Sequence, residues 1–122
     1  MARRANLVIK LATGVEDAER VAQAFSVAST ALAAGVNVSF WLAGEASWLA
    51  LPGRAEQFTL PHSAPLHELL TALIDGATVT LCTQCAIRRN INDGDQIPGI
   101  RIAGSSTFVE EITNDSTQAL VY

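Results

Sequence analysis

The sequence predicts an α/β fold: a single-domain three-layer sandwich over residues 1–122, with a mostly parallel five-stranded sheet and helices on both faces. Three observations predict it. Apolar runs of strand length alternate with segments of helical period along the whole chain. The first two such runs flank a helix within about 35 residues, the size of a parallel, right-handed βαβ unit. A chain of 122 residues is one domain by length and buries enough surface to fold without metal or disulfide.

The elements follow in order. Leu7 to Leu11 is a near-continuous apolar run that suits a strand buried on both faces. Thr13-Gly14-Val15-Glu16 fits a capping box, with Thr13 as N-cap and Glu16 at N3. The helix behind it sets Val21, Phe25, Ala28 and Leu32 at helical spacing, and Gly35 closes it as the C′ residue. Val36 to Leu42 alternates as a second strand, and Ala43-Gly44-Glu45 turns the chain into a short segment that Pro52-Gly53 ends. An irregular stretch to Ala64 is expected to lie over the core through Phe58 and Leu60. Ser63 and Pro65 start a second helix carrying Leu66, Leu69, Leu70 and Leu73, stopped at Gly76. Thr78 to Leu81 is a third strand that gives way at Cys82 to a short helix, Thr83 to Arg89. Asn90 to Gly99 is a loop by composition. Ile100 to Ala103 is a fourth strand, a helix holding Phe108, Val109 and Ile112 comes next, and Ala119 to Tyr122 is the fifth strand.

Hydrophobic residues are 49% of the chain and charged ones 16%, so the surface is lean in charge and suits partial coverage by other subunits. The net charge is −4 and basic residues form no stripe, which argues against nucleic acid as a partner. Leu7 to Leu11 is too short for a signal or membrane segment, so the expectation is a cytoplasmic protein with no membrane association. Lys10 is the sole lysine and neither G-x-x-x-x-G-K-[ST] nor G-x-G-x-x-G occurs, which leaves a phosphate cradle without support. Trp41 and Trp48 read as core or subunit-contact residues, and Glu45 and Asp95 as solvated loop charges.

Chemistry concentrates in Cys82-Thr83-Gln84-Cys85-Ala86-Ile87-Arg88-Arg89, which contains both cysteines of the chain. Two cysteines outside an oxidising compartment point to catalysis, metal binding or redox work before a structural bridge. Cys82 at a strand's carboxyl end meets the unpaired N–H groups and positive dipole end of the next helix, a setting that favours thiolate. Arg89 lies four residues after Cys85 and seven after Cys82, close to one helical stripe, whereas Arg88 points elsewhere.

The order of elements and this motif resemble the DsrE/TusD/YchN-like sulfur-relay proteins, and the resemblance runs along nearly the whole chain. The first strand with its alanine-rich helix ending Ala34-Gly35-Val36, the strand-end Cys82 followed by Arg88-Arg89, and the closing strand Gln118 to Tyr122 carry it. Cys82 looks like the family's sulfur carrier by its spacing from the arginines, and Cys85 matches the second cysteine of the YchN-like branch. The family usually has glycine after the arginine; here Asn90 takes that place, a residue that tolerates the left-handed conformation. The resemblance implies transpersulfidation between donor and acceptor proteins with Cys82 as carrier, no cofactor, and a homotrimer or hexamer.

Three other readings stand beside it. One is a dithiol oxidoreductase using Cys82 and Cys85, against which the pair follows the third strand and not the first βαβ unit. Another is a non-catalytic oligomeric binding module in which the cysteines only pack. The last is a zinc site drawing on His62, His67, Cys82 and Cys85, against which Pro65 interrupts the histidine segment.

Overall fold

A computed structural model describes residues 5–122. Its five strands are β1 (Asn6–Leu11), β2 (Asn37–Leu42), β3 (Thr78–Cys82), β4 (Arg101–Ala103) and β5 (Thr117–Val121). The four α-helices are α1 (Ala18–Ala33), α2 (Leu66–Gly76), α3 (Thr83–Arg88) and α4 (Ser105–Ile112). The strands form one sheet in the order β4-β3-β2-β1-β5, and every neighbouring pair is parallel.

Period-two alternation divides each strand between two faces. Ile9, Leu11, Val38, Phe40, Leu42, Val79 and Leu81 join Val21, Phe25 and Ala28 of α1 and Leu66, Leu70 and Leu73 of α2 in the main core. The rings of Phe25 and Phe40 meet there with centroids 4.8 Å apart. The helix positions set out by the sequence are therefore the ones that pack, and Gly35, at φ +85°, ends α1 as expected.

The opposite face carries α4 and is unusually polar for a parallel sheet. Trp41 is buried there edge-on to Phe108, with centroids 5.2 Å apart. Glu111 accepts hydrogen bonds from Ser39 Oγ at 2.6 Å and Trp41 Nε1 at 3.0 Å. Arg101 pairs with the same carboxylate and donates to Thr80 Oγ1 at 2.6 Å. Burial pushes the Glu111 carboxyl up, but these donors outweigh it and hold the group below its usual range.

Two local expectations are corrected. Thr13 does not cap: its Oγ1 is buried without a partner among the described residues, while Glu16 Oε1 accepts the Gly14 N–H at 2.8 Å. The chain enters through a single 3-10 turn, Val15–Asp17, so the cap of α1 moves to Asp17, which accepts from the Arg20 N–H. The stretch before α2 is less irregular than its composition suggests, because Gly44–Ala50 and Ala55–Gln57 are 3-10 segments and Ala55 is buried in the core beside the expected Phe58. No helix among the described residues is long and apolar enough to cross a membrane.

Candidate functional site

Parallel register brings the carboxyl ends of the strands to one rim: Leu11 is level with Leu42, Leu42 with Leu81, and Cys82 with Ala103. The residues just beyond β2 and β3 are therefore neighbours in space although some forty positions apart in sequence. Cys82 closes β3 on the α4 side of the sheet and is also the N-cap of α3, and Cys85 lies in the first turn of that helix. With Ala43 from the end of β2 they form a small cluster apart from the main core. Cys82 is 8% exposed and Cys85 9%, so both sulfurs lie just beneath the surface. They are free thiols.

The groups that stabilise a thiolate converge on Cys85. The Gly44 N–H points at its Sγ at 3.2 Å. Burial pushes the Cys85 thiol up, but the Gly44 N–H, the Cys82 thiol, and the charges of Arg89 and Arg88 outweigh it and leave the group below its ordinary value. The sequence points to the helix start acting on Cys82; in the folded chain the groups that lower a thiol's pKa gather on Cys85, because the β2 loop supplies a backbone donor that no local pattern announces.

Arg89 is fixed from three sides. Its Nη1 donates to the Cys85 carbonyl at 3.1 Å, while Nε and Nη2 donate to Glu45 Oε2 at 3.0 and 2.8 Å. Trp48 Nε1 donates to the same oxygen at 3.2 Å. The Arg89 bonds hold the Glu45 carboxyl below its usual value, against a smaller opposing effect of burial. Glu45, read from sequence as a solvated charge, is thus the residue that orients Arg89; the signal for it is its place after a strand that pairs with β3. Asp95 does remain in its loop, where it accepts the Asn92 N–H at 2.8 Å. Arg88 is exposed and acts on Cys85 through its charge alone.

Asn90 adopts φ +54°, the left-handed turn expected of it. Its N–H donates to the Ile87 carbonyl and that of Ile91 to Ala86, at 3.1 and 2.9 Å, the pattern of a helix closed by a left-handed C′ residue. Asn90→Val is expected to lower stability by about 1–2 kcal/mol and Asn90→Gly to change it by less than about 0.5 kcal/mol, read from urea unfolding midpoints.

The histidines do not join the cysteines. His62 and His67 line two different surface clefts, and among the described residues no group of three or more His, Cys, Asp or Glu side chains is placed to hold a metal ion.

Comparison with known proteins bears on the fold and the family. The fold is shared with the ychN protein of E. coli, at a TM-score of 0.67 and 16% identity over 96% of this chain and 99% of that one. It is shared equally with MTH1491 of Methanobacterium thermoautotrophicum, a protein of unknown function, at a TM-score of 0.72 and 11% identity over 96% and 98%. The uncharacterized protein MJ0760 of Methanocaldococcus jannaschii is 26% identical over 107 residues, which are 87% of this chain but only 39% of that relative's length. A family model matches residues 6–121, nearly the whole of the described chain, and on that match the protein belongs to the DsrE/DsrF-like family.

Proposed function

We propose that the chain carries sulfane sulfur on Cys82 and passes it between protein partners, with Cys85 holding the negative charge of the thiol pair. The observation that carries this reading is the convergence of the Gly44 N–H, the Cys82 thiol and the Arg89 charge on the Cys85 sulfur. Membership of the DsrE/DsrF-like family supports the sulfur-relay setting.

The step balances without a cofactor. Cys82 gives its proton to the Cys85 thiolate, and the Cys82 thiolate attacks the terminal sulfur of a donor's persulfide. A sulfur–sulfur bond forms at Cys82, the donor's sulfur–sulfur bond breaks, and the donor leaves as thiolate. Delivery is the reverse, with an acceptor's thiolate attacking the outer sulfur on Cys82. Shallow burial shields the persulfide from bulk water while leaving it reachable. The contact between the two thiols also favours a dithiol reading of discharge: Cys85 thiolate attacking the inner sulfur of the loaded Cys82 forms a disulfide and releases hydrosulfide.

In the same reading residues 1–122 act as one domain of a cytoplasmic homo-oligomer, a trimer or hexamer. The thinly covered α4 face, with Val109 51% and Val121 68% exposed, supports subunit contact there. The test of carriage is intact mass after incubation of the reduced protein with inorganic polysulfide. An added mass of about 32 units per chain, removed by a thiol reductant, is expected, and an unchanged mass contradicts the proposal.

A further inference from the structure

A cleft of about 300 Å³ opens on the same rim, bounded by Glu45, Trp48 and Arg54 together with Val15, Phe58 and Glu16. Its volume lies at the small end of the range for small-molecule sites. Glu45 separates it from the thiol pair and belongs to both. All three donors that reach this carboxylate, two from Arg89 and one from Trp48, use Oε2, and among the described residues none reaches Oε1. Over the indole lies the opposite charge. The Arg54 guanidinium stacks on the Trp48 ring 5.0 Å from its centroid and has no carboxylate partner among the described residues. Glu16, which also lines the cleft, accepts the Gly14 N–H through Oε1. One concave site thus presents an unused carboxylate oxygen at the edge of an indole and an unused guanidinium over its face, beside an apolar wall.

We propose that this cleft binds a small α-amino acid bearing a sulfane sulfur, of the cysteine persulfide type, with its ammonium group on Glu45 Oε1 and its carboxylate on Arg54. A zwitterion satisfies both charges at once, and a planar guanidinium is suited to a carboxylate. Glu45 joins the cleft to the thiol pair, since it directly follows Gly44, whose N–H contacts Cys85. This assignment rests on the carrier reading above and names a small-molecule donor for it: Cys82 thiolate attacks the terminal sulfur, its proton passes to Cys85, and cysteine leaves as thiolate.

The test is isothermal titration calorimetry with S-methylcysteine, which has the shape of cysteine persulfide with a methyl group in place of the terminal sulfur and does not react. Saturable one-to-one binding to the wild-type chain is expected, weakened about tenfold by Arg54→Gln. 2-(Methylthio)ethylamine, which lacks the carboxylate, is expected to bind the wild type and Arg54→Gln with equal strength. Absence of saturable S-methylcysteine binding, or binding to Arg54→Gln within twofold of wild type, overturns the assignment. The polysulfide mass shift reads the carrier role separately. Binding without an adduct removes the relay and with it the persulfide donor, whereas an adduct without binding removes the cleft and leaves the relay.

Discussion

A Cys82→Ser variant is expected to take up no sulfur from polysulfide, while Cys85→Ser still gains the mass of one sulfur, about tenfold or more slowly at neutral pH. The asymmetry follows from the roles the geometry suggests. Serine at position 82 removes the atom that carries the sulfur, and Cys85, whose Sγ is engaged by the Gly44 N–H, lies in the first turn of α3. Serine at position 85 removes only the base that takes the proton from Cys82. Loading at Cys82 then proceeds without that base, so it survives but slows. Adduct on Cys82→Ser with none on Cys85→Ser would exchange the two roles.

The second large effect is expected at Gly44, far from the motif in sequence. Its φ of +51° is left-handed, and a Cβ there runs into the Ala12 carbonyl, which is backbone and has nowhere to go. The neighbouring loop is as tight, since a Cβ on Gly14 would stand 2.7 Å from the Glu45 carbonyl oxygen. The loops after β1 and β2 are therefore pressed together backbone to backbone. Gly44→Ala is expected to cost about 2–4 kcal/mol, the sum of a left-handed alanine and a forced backbone shift. The shift also draws the N–H away from Cys85, so alkylation of Cys85 should need a higher pH. Unfolding midpoints and the pH profile of iodoacetamide labelling read the two consequences independently, and an alanine variant with wild-type values of both contradicts the role given to this loop.

Much of this architecture is legible in the chain because local preference and burial agree. Leu66, Leu70 and Leu73 lie on one helical stripe and pack as a stripe, Val79 and Leu81 alternate and face the main core, and Asn90 takes the turn that glycine usually makes. The failures share a cause. Thr13 has the right neighbours for a cap, but the close approach of Gly14 to Glu45 diverts the chain into a 3-10 turn before the helix starts. Glu45 and Gly44 are invisible in a motif search because strand register, and not spacing, carries them to the cysteines. Pairing of β2 with β3 predicts that the residues after the two strands share a rim, and that inference finds them once the pairing is known. The polar network of Ser39, Trp41, Arg101 and Glu111 is hidden for the same reason, since α4 returns over β2 from the far edge of the sheet.

The measurement that bears most directly on the account is a pH titration of the two thiols, followed by 13C NMR in wild-type protein labelled at the cysteine Cβ. The account predicts that Cys85 loses its proton below the free-thiol value of about 8.5. A Cys85 resonance that titrates at or above that value contradicts it.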